Sequence, residues 1–309
     1  MRKLPLKEVA ETDPKTQMTT KSRLTDTERG GQGVQQSEPP EFVIEPPQGW
    51  GGLGWSELVR YRELLYFMIW RDLKVRYKQT VLGVVWAIIQ PLFSVVVFTV
   101  IFGRLAGLSS EGFPFALFVL AGLLPWQFFQ SGVSTAGLSL VNQQNLLTKV
   151  YFPRLFVPAS VIGTCLVDFF IASLLFALLL LWYQVMPSWQ VLFVPILLFF
   201  VMLATLGLGF WLAALTVTFR DLRFVVPFLM QALMFLSPVV YAVSIVPAEW
   251  HWVLGINPMA GLIDGFRSAV LGKPWNFITL SVSCFSSTTL FLFGIYMFRK
   301  TEQKFADLI

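Results

Sequence analysis

The segment Arg71-Asp72-Leu73-Lys74-Val75-Arg76-Tyr77-Lys78 leads directly into an apolar run that starts near residue 81. Lys74, Arg76 and Lys78 fall at every second position, with Arg71 one turn earlier. On a helix that spacing encircles the axis, so some cations must face phosphates or a polar opening. Cations at the edge of an apolar run suit lipid phosphates. Asp168 is the one acid deep in an apolar stretch. At the centre of a membrane helix an acid costs about 2.5 to 3.5 kcal/mol. It needs a hydrogen bond from a neighbouring Ser, Thr or backbone amide, or it lines a channel or serves coupling. Asp264 and Arg267 sit three apart and could pair on one helical face. At a surface such a pair is worth less than about 1 kcal/mol, so structure and gating both stay open. Gln90, Gln127 and Gln130 lie near Trp86, Trp126, Phe128 and Phe129. Aromatic faces with amide rims match sugar rings. The competing assignment for these aromatics, and for Trp182, Tyr241, Trp250 and Trp252, is an interfacial belt.

Other chemistry is missing. The sequence has no HExxH, no GxSxG and no pair of carboxylates within an apolar run. It has no G-x-x-x-x-G-K-[ST] either, since Gly272-Lys273 is followed by Pro274. His251 is the only histidine, and the two cysteines, Cys165 and Cys284, sit in separate apolar stretches. Buried free thiols are expected rather than a disulfide, and a zinc site is not expected. The expectation is a chain with no catalytic residue, metal or cofactor of its own. Any work it performs draws on a partner or an ion gradient, and one lone acid is thin support for a gradient.

The elements that position these residues follow from composition. Of 309 residues, 55% are hydrophobic and 13% charged, and mean hydropathy is +0.66. Soluble domains carry about 25% charged residues, so a water-facing surface is excluded. Disorder is excluded for most of the chain as well. Residues 1–54 are the exception, with 7 basic and 8 acidic residues, two Pro-Pro pairs and no long apolar run. They read as a disordered cytoplasmic tail without a signal peptide. Residues 55–79 repeat apolar positions Leu58, Tyr61, Leu65, Met68 and Ile69 among cations. That pattern predicts an amphipathic interface helix, its apolar face toward acyl chains; a plain topology anchor is the alternative.

Six spans of about 20 residues or more are predicted near 81–103, 114–136, 155–183, 191–217, 224–243 and 276–298, with Pro91, Pro125 and Pro238 as possible kinks. Placing the N-terminus inside puts 13 Lys and Arg on the cytoplasmic side and 3 outside. Both termini are therefore expected in the cytoplasm. Residues 142–154, NQQNLLTKVYFPR, predict a short surface helix before Pro153. The 32 residues 244–275 exceed a tight turn and predict a re-entrant or interfacial helical pair on the outer side. The fold class is all-α, a polytopic membrane protein.

The sequence from about 56 to 309 resembles the ABC-2 permeases that export polysaccharides such as O-antigen, capsule and teichoic acid. The resemblance lies in WRDLKVRYKQTVLGVVWAIIQPL at 70–92, LLPWQFFQ at 123–130 and NLLTKVYFPRLFVP at 145–158. It continues in FRDLRFVVPFLMQ at 219–231, LSPVVY at 236–241 and NPMAGLIDGFRSAVLG at 257–272. Their order and spacing over five-sixths of the chain make it specific; residues 1–54 lie outside it.

This resemblance implies a homodimer of six-span subunits in the bacterial inner membrane, bearing two copies of a P-loop ATPase that holds ATP and Mg. The helix before span one would guide a lipid-linked polysaccharide, with Arg71, Lys74, Arg76 and Lys78 holding its pyrophosphate. The segment 142–152 would be the coupling helix seated on the ATPase, through Asn142, Gln144, Asn145, Leu146, Lys149, Tyr151 and Phe152. Spans one and five would line the channel, with Trp86, Gln90 and Tyr241 beside the sugar-matching Gln127. The helices of 244–272, with Asn257, Asp264 and Arg267, would form the outer gate. An ABC-2 exporter of another lipid or drug is the alternative. A membrane-embedded transferase acting on such polymers is a third, and the sequence offers it almost no catalytic acids.

Overall fold

The computed structural model describes residues 61–78, 83–144 and 152–302, all within the unit Gly52–Ile309. Among them every regular element is helical. Helix α1 spans Arg62–Lys78, and α2 spans Gly83–Phe98 and runs on as a π-helical stretch, Thr99–Leu105. Then come α3, Phe115–Asn142, and α4, Phe156–Trp182. A 3-10 turn, Trp189–Phe193, leads into α5, Val194–Thr218, followed by α6, Leu222–Leu236. Two 3-10 turns, Val243–Ile245 and Ala248–Trp250, precede α7, His251–Ile256, and α8, Pro258–Leu271. The last helix is α9, Phe277–Glu302. The expected tail 1–54, the start of the predicted interface helix, and Asn145, Leu146, Lys149 and Tyr151 lie outside the described residues.

Among the described residues, five helices are long and apolar enough to cross a membrane: Val85–Leu105, Phe115–Asn142, Phe156–Trp182, Trp189–Thr218 and Phe277–Glu302. The most apolar part of α3 is 78% buried, against 11% for α2. So α3 is the central post and α2 the least embedded of these five helices. At 1.5 Å per residue the 28 residues of α3 reach about 42 Å, beyond a hydrocarbon core of roughly 30 Å. The expected span ended at 136, but the helix continues to Asn142. Helices α5 and α9 pack backbone to backbone through Gly207 and Gly294, where a Cβ on either would collide with the other helix. Small residues allow such approach between apolar helices.

Two expectations change. The predicted fifth span, 224–243, is a 15-residue helix, Leu222–Leu236, about 22 Å long. It stops at Ser237, which is extended (φ −98°, ψ 145°), because the ring of Pro238 disfavours helix at the preceding residue. Pro238 therefore ends the helix instead of kinking it. The second change concerns α1. Met68 is buried in a cluster with Leu140, Phe152, Phe156 and Phe298, and Tyr61, Leu64 and Leu65 pack on it. Its periodic apolar face thus lies on protein, not acyl chains. The exposed face carries Tyr66, Phe67, Trp70 and Val75.

Candidate functional site

The charged residues singled out by sequence gather at two places. The first is the contact of α1 with α3 and α4. Arg71 donates to Asp72 Oδ1 (2.7 Å) and to Gln143 Oε1 (2.9 Å), and Ser160 Oγ donates to Asp72 Oδ2 at 3.4 Å. Arg76 forms an ion pair with Asp168, and Tyr77 Oη donates to the other carboxylate oxygen. The partners of Asp168 are therefore two side chains of α1, not the neighbouring Ser, Thr or amide expected. This answers the cost of the acid within the apolar helix α4. Burial, then the bond to Asp168, pushes the Tyr77 phenol pKa upward. Of the four cations, Lys74 and Lys78 are exposed, and the Lys74 ammonium sits 5.2 Å over the Trp70 ring. Arg71 and Arg76 are held by protein groups. Beyond them, Asn142 is exposed, Gln144 half-buried and Phe152 buried.

The second place is the turn after α6 and the helix α8. Asn257 caps α8, its Oδ1 accepting from the Met259 N–H at 3.0 Å. Pro258 follows at the first helical position, and Gly272 ends the helix in the left-handed region (φ 75°). This is the usual grammar of helix ends. The Asn257 amide also donates to Ser237 Oγ at 2.8 Å, tying the start of α8 to the end of α6. Residues Met259–Leu271 are all buried.

Arg267, fully buried, is the centre of this region. Its guanidinium donates to the carbonyls of Phe118 (3.1 Å), Pro238 (2.7 Å), Tyr241 (3.1 Å) and Val239 (2.5 Å). It also lies 3.8 Å from the Phe118 ring centroid. Breaking the helix at Pro238 leaves carbonyls without intrahelical donors, and irregular backbone in an apolar setting must find others. Arg267 supplies them. Gly122 makes the room: a Cβ there would lie 2.5 Å from Arg267 Nη2. The expected surface pair with Asp264 is replaced by this arrangement. Asp264 instead faces Lys273 at 3.5 Å.

Lys273 also pairs with Glu111, in the loop between α2 and α3. Ser244 Oγ donates to Glu111 Oε1 at 2.6 Å. Burial raises the Glu111 pKa, but the bonds from Lys273 and Ser244 outweigh it, and the carboxyl is held below its ordinary value. Glu111 and Lys273 were not singled out from sequence. The only local signals were the Ser-Ser-Glu-Gly and Gly-Lys-Pro turns.

Trp86 and Gln90 are exposed on α2, in line with Ile89 and Phe93. Tyr241 is half-buried against the Arg267 clamp, its hydroxyl donating to the Leu236 carbonyl at 3.4 Å. Gln127 is half-buried on α3, while Trp126 is a core residue bonded to Gln130 at 3.0 Å. His251 lies in a polar junction. The Asn276 amide meets its Nδ1 (2.9 Å) and its Nε2 meets the Val246 carbonyl (3.0 Å). A carbonyl only accepts, so Nε2 carries the proton.

Comparison with known proteins accords with this architecture. The family described as ABC-2 type transporter matches residues 63–271. The O-antigen export system permease protein RfbA of Myxococcus xanthus is 35% identical over 69% of this chain and 82% of its own length. A protein of the same name from Klebsiella pneumoniae is 26% identical over 80% of this chain and 95% of its own. The polysialic acid transport protein KpsM of Escherichia coli is 24% identical over 75% and 91%.

Proposed function

The chain belongs to the ABC-2 type transporter family, and we propose that it is the membrane subunit of an exporter carrying a lipid-linked polysaccharide across the bacterial inner membrane. The observation that carries this reading is the similarity to O-antigen export permeases over most of both chains. ATP and Mg would be held by a separate P-loop subunit, for which this sequence has no motif of its own.

Each part of the geometry takes a role within that reading. Two copies of the chain would face each other through the exposed apolar surfaces of α2 and α6, including Val85, Phe93, Phe224 and Phe228. Trp86, Gln90, Gln127 and Tyr241 would lie along the passage between them. Helix α6, the irregular residues 237–242 and the pair α7–α8 would make up the sixth membrane-inserted segment and the outer gate, with both termini cytoplasmic. The end of α3 reaches past the hydrocarbon and would present the coupling segment 142–152 to the ATPase. On α1, the exposed Lys74 and Lys78 beside Tyr66 and Trp70 would receive the pyrophosphate and first sugars of the substrate. Arg71 and Arg76 would fix the helix in place.

The test is co-purification with a P-loop ATPase encoded beside this gene, followed by deletion of either gene. The expected result is a stable complex and loss of surface glycan in both deletions. Full surface glycan without the ATPase would contradict the reading.

A further inference from the structure

The geometry points to Glu111 as a positioning residue: its carboxylate straps the α2–α3 loop onto the far end of α8 and onto the turn after α6, and so holds the outer end of α2 in the closed arrangement. This rests on the export reading above and adds to it the connection that must separate for the exit to open.

Four observations converge. First, Glu111 joins three chain segments at once, through Lys273 beyond α8 and Ser244 in the turn Val243–Ile245. Second, its backbone is in the left-handed region at φ 55°, which a non-glycine residue adopts only when its surroundings fix it. Gly112 beside it is also left-handed at φ 90°. Third, Lys273 is only 8% exposed and shares its charge between Glu111 and Asp264, 5.6 Å from the Phe118 ring. A buried ammonium between two carboxylates has one favourable arrangement, and removing one partner is felt strongly. Fourth, the neighbouring bonds divide the region into two bodies. Arg267 joins α8, residues 238–241 and α3. The most apolar part of helix α2 is only 11% buried within the chain; its outer end packs on the core through Phe98 and Phe102 and against Phe115 at Gly103, and the polar tie from the loop that follows it runs through Glu111. Glu111 makes two contacts across that boundary, against four carbonyl bonds of Arg267 within the body. The separable joint is therefore Glu111, and α2 is the element it releases.

The permease–ATPase complex is reconstituted in phosphatidylethanolamine–phosphatidylglycerol liposomes loaded with calcein. Glu111→Gln should raise resting calcein leak several-fold over wild type. In a background with Cys165→Ser and Cys284→Ser, the pair Glu111→Cys and Ser244→Cys is bridged by a reducible bis-methanethiosulfonate. Bridging should cut glycan export at least tenfold, and reductant should restore it. Unchanged leak in a Glu111→Gln complex of wild-type size-exclusion profile would overturn the proposal. So would undiminished export from the bridged complex, an arm that stands even where Glu111→Gln fails to fold. The leak arm uses no glycan and no nucleotide. A wild-type complex that hydrolyses ATP but exports no glycan defeats the export reading alone.

Discussion

Arg267 answers a problem made thirty residues earlier, where Pro238 ends α6 and leaves carbonyls facing an apolar interior. A guanidinium has five donors in a rigid fork, so one side chain can serve several carbonyls. Lysine offers a point charge on a flexible stem. Arg267→Lys should therefore destabilise the protein, and Arg267→Met should do so by several kcal/mol, since each buried group left unpaired costs about 1 to 3 kcal/mol. Thermal midpoints in detergent would check both. At the inner contact the four cations should separate into two classes. Lys74→Gln with Lys78→Gln should lower export without shifting the thermal midpoint. Arg76→Gln should lower the midpoint, because it leaves Asp168 without its ion-pair partner. A double-mutant cycle with Asp168→Asn should show the two changes to be non-additive.

Glu111 gives a pH dependence with a defined sign. Its carboxyl titrates below the ordinary value in the folded protein, so the unfolded chain binds its proton more readily. The stabilisation is complete above the unfolded value of about 4.3. It is lost as pH falls through the lowered folded value. The charged groups around it are Lys273, Asp264 and Arg267. Glu111→Gln, which cannot ionise, is compared with wild type. The gap between the two thermal midpoints should be widest near neutral pH and close in acid. A gap that widens in acid would reverse the assignment.

At the scale of elements, the membrane helices were legible because hydropathy over twenty residues is a strong signal, and five of the six expected spans match helices to within six residues at either end. The shortness of α6 was not. Residues 237–243, SPVVYAV, remain apolar after the helix stops, so hydropathy cannot register the break, although Pro238 marks it. The face of α1 was misassigned for a related reason. Periodicity reveals an apolar stripe but not whether lipid or protein covers it. Partners far along the chain were illegible altogether. Asp168 stood out as a costly acid, yet Arg76 lies 92 residues away. Arg267 looked like half of a surface pair because only Asp264 was near it in sequence. Gly122 belongs to the same account. Gly122→Ala would push against the Arg267 guanidinium and the Val239 carbonyl, 2.5 and 2.9 Å from the new methyl. It should lower the thermal midpoint by the equivalent of about 1 to 3 kcal/mol, while Gly137→Ala, with its nearest neighbour at 3.4 Å, should be far milder.

At the scale of the molecule, the described fold is a post-and-surround bundle. Helix α3 is enclosed, with α4, α5 and α8 packed against it and α9 on the far side of α5, and α2 and α6 keep broad apolar faces outward. The sequence has no G-x-x-x-x-G-K-[ST] loop, and the export reading proposed above assigns the work to a separate P-loop subunit. The direct measurement is glycan movement in liposomes that contain the permease with its P-loop ATPase, compared with the same complex carrying a Walker lysine substitution in the ATPase. Nucleotide-dependent movement is expected in the first and none in the second, with both complexes intact. Equal movement in the two preparations would contradict the export reading.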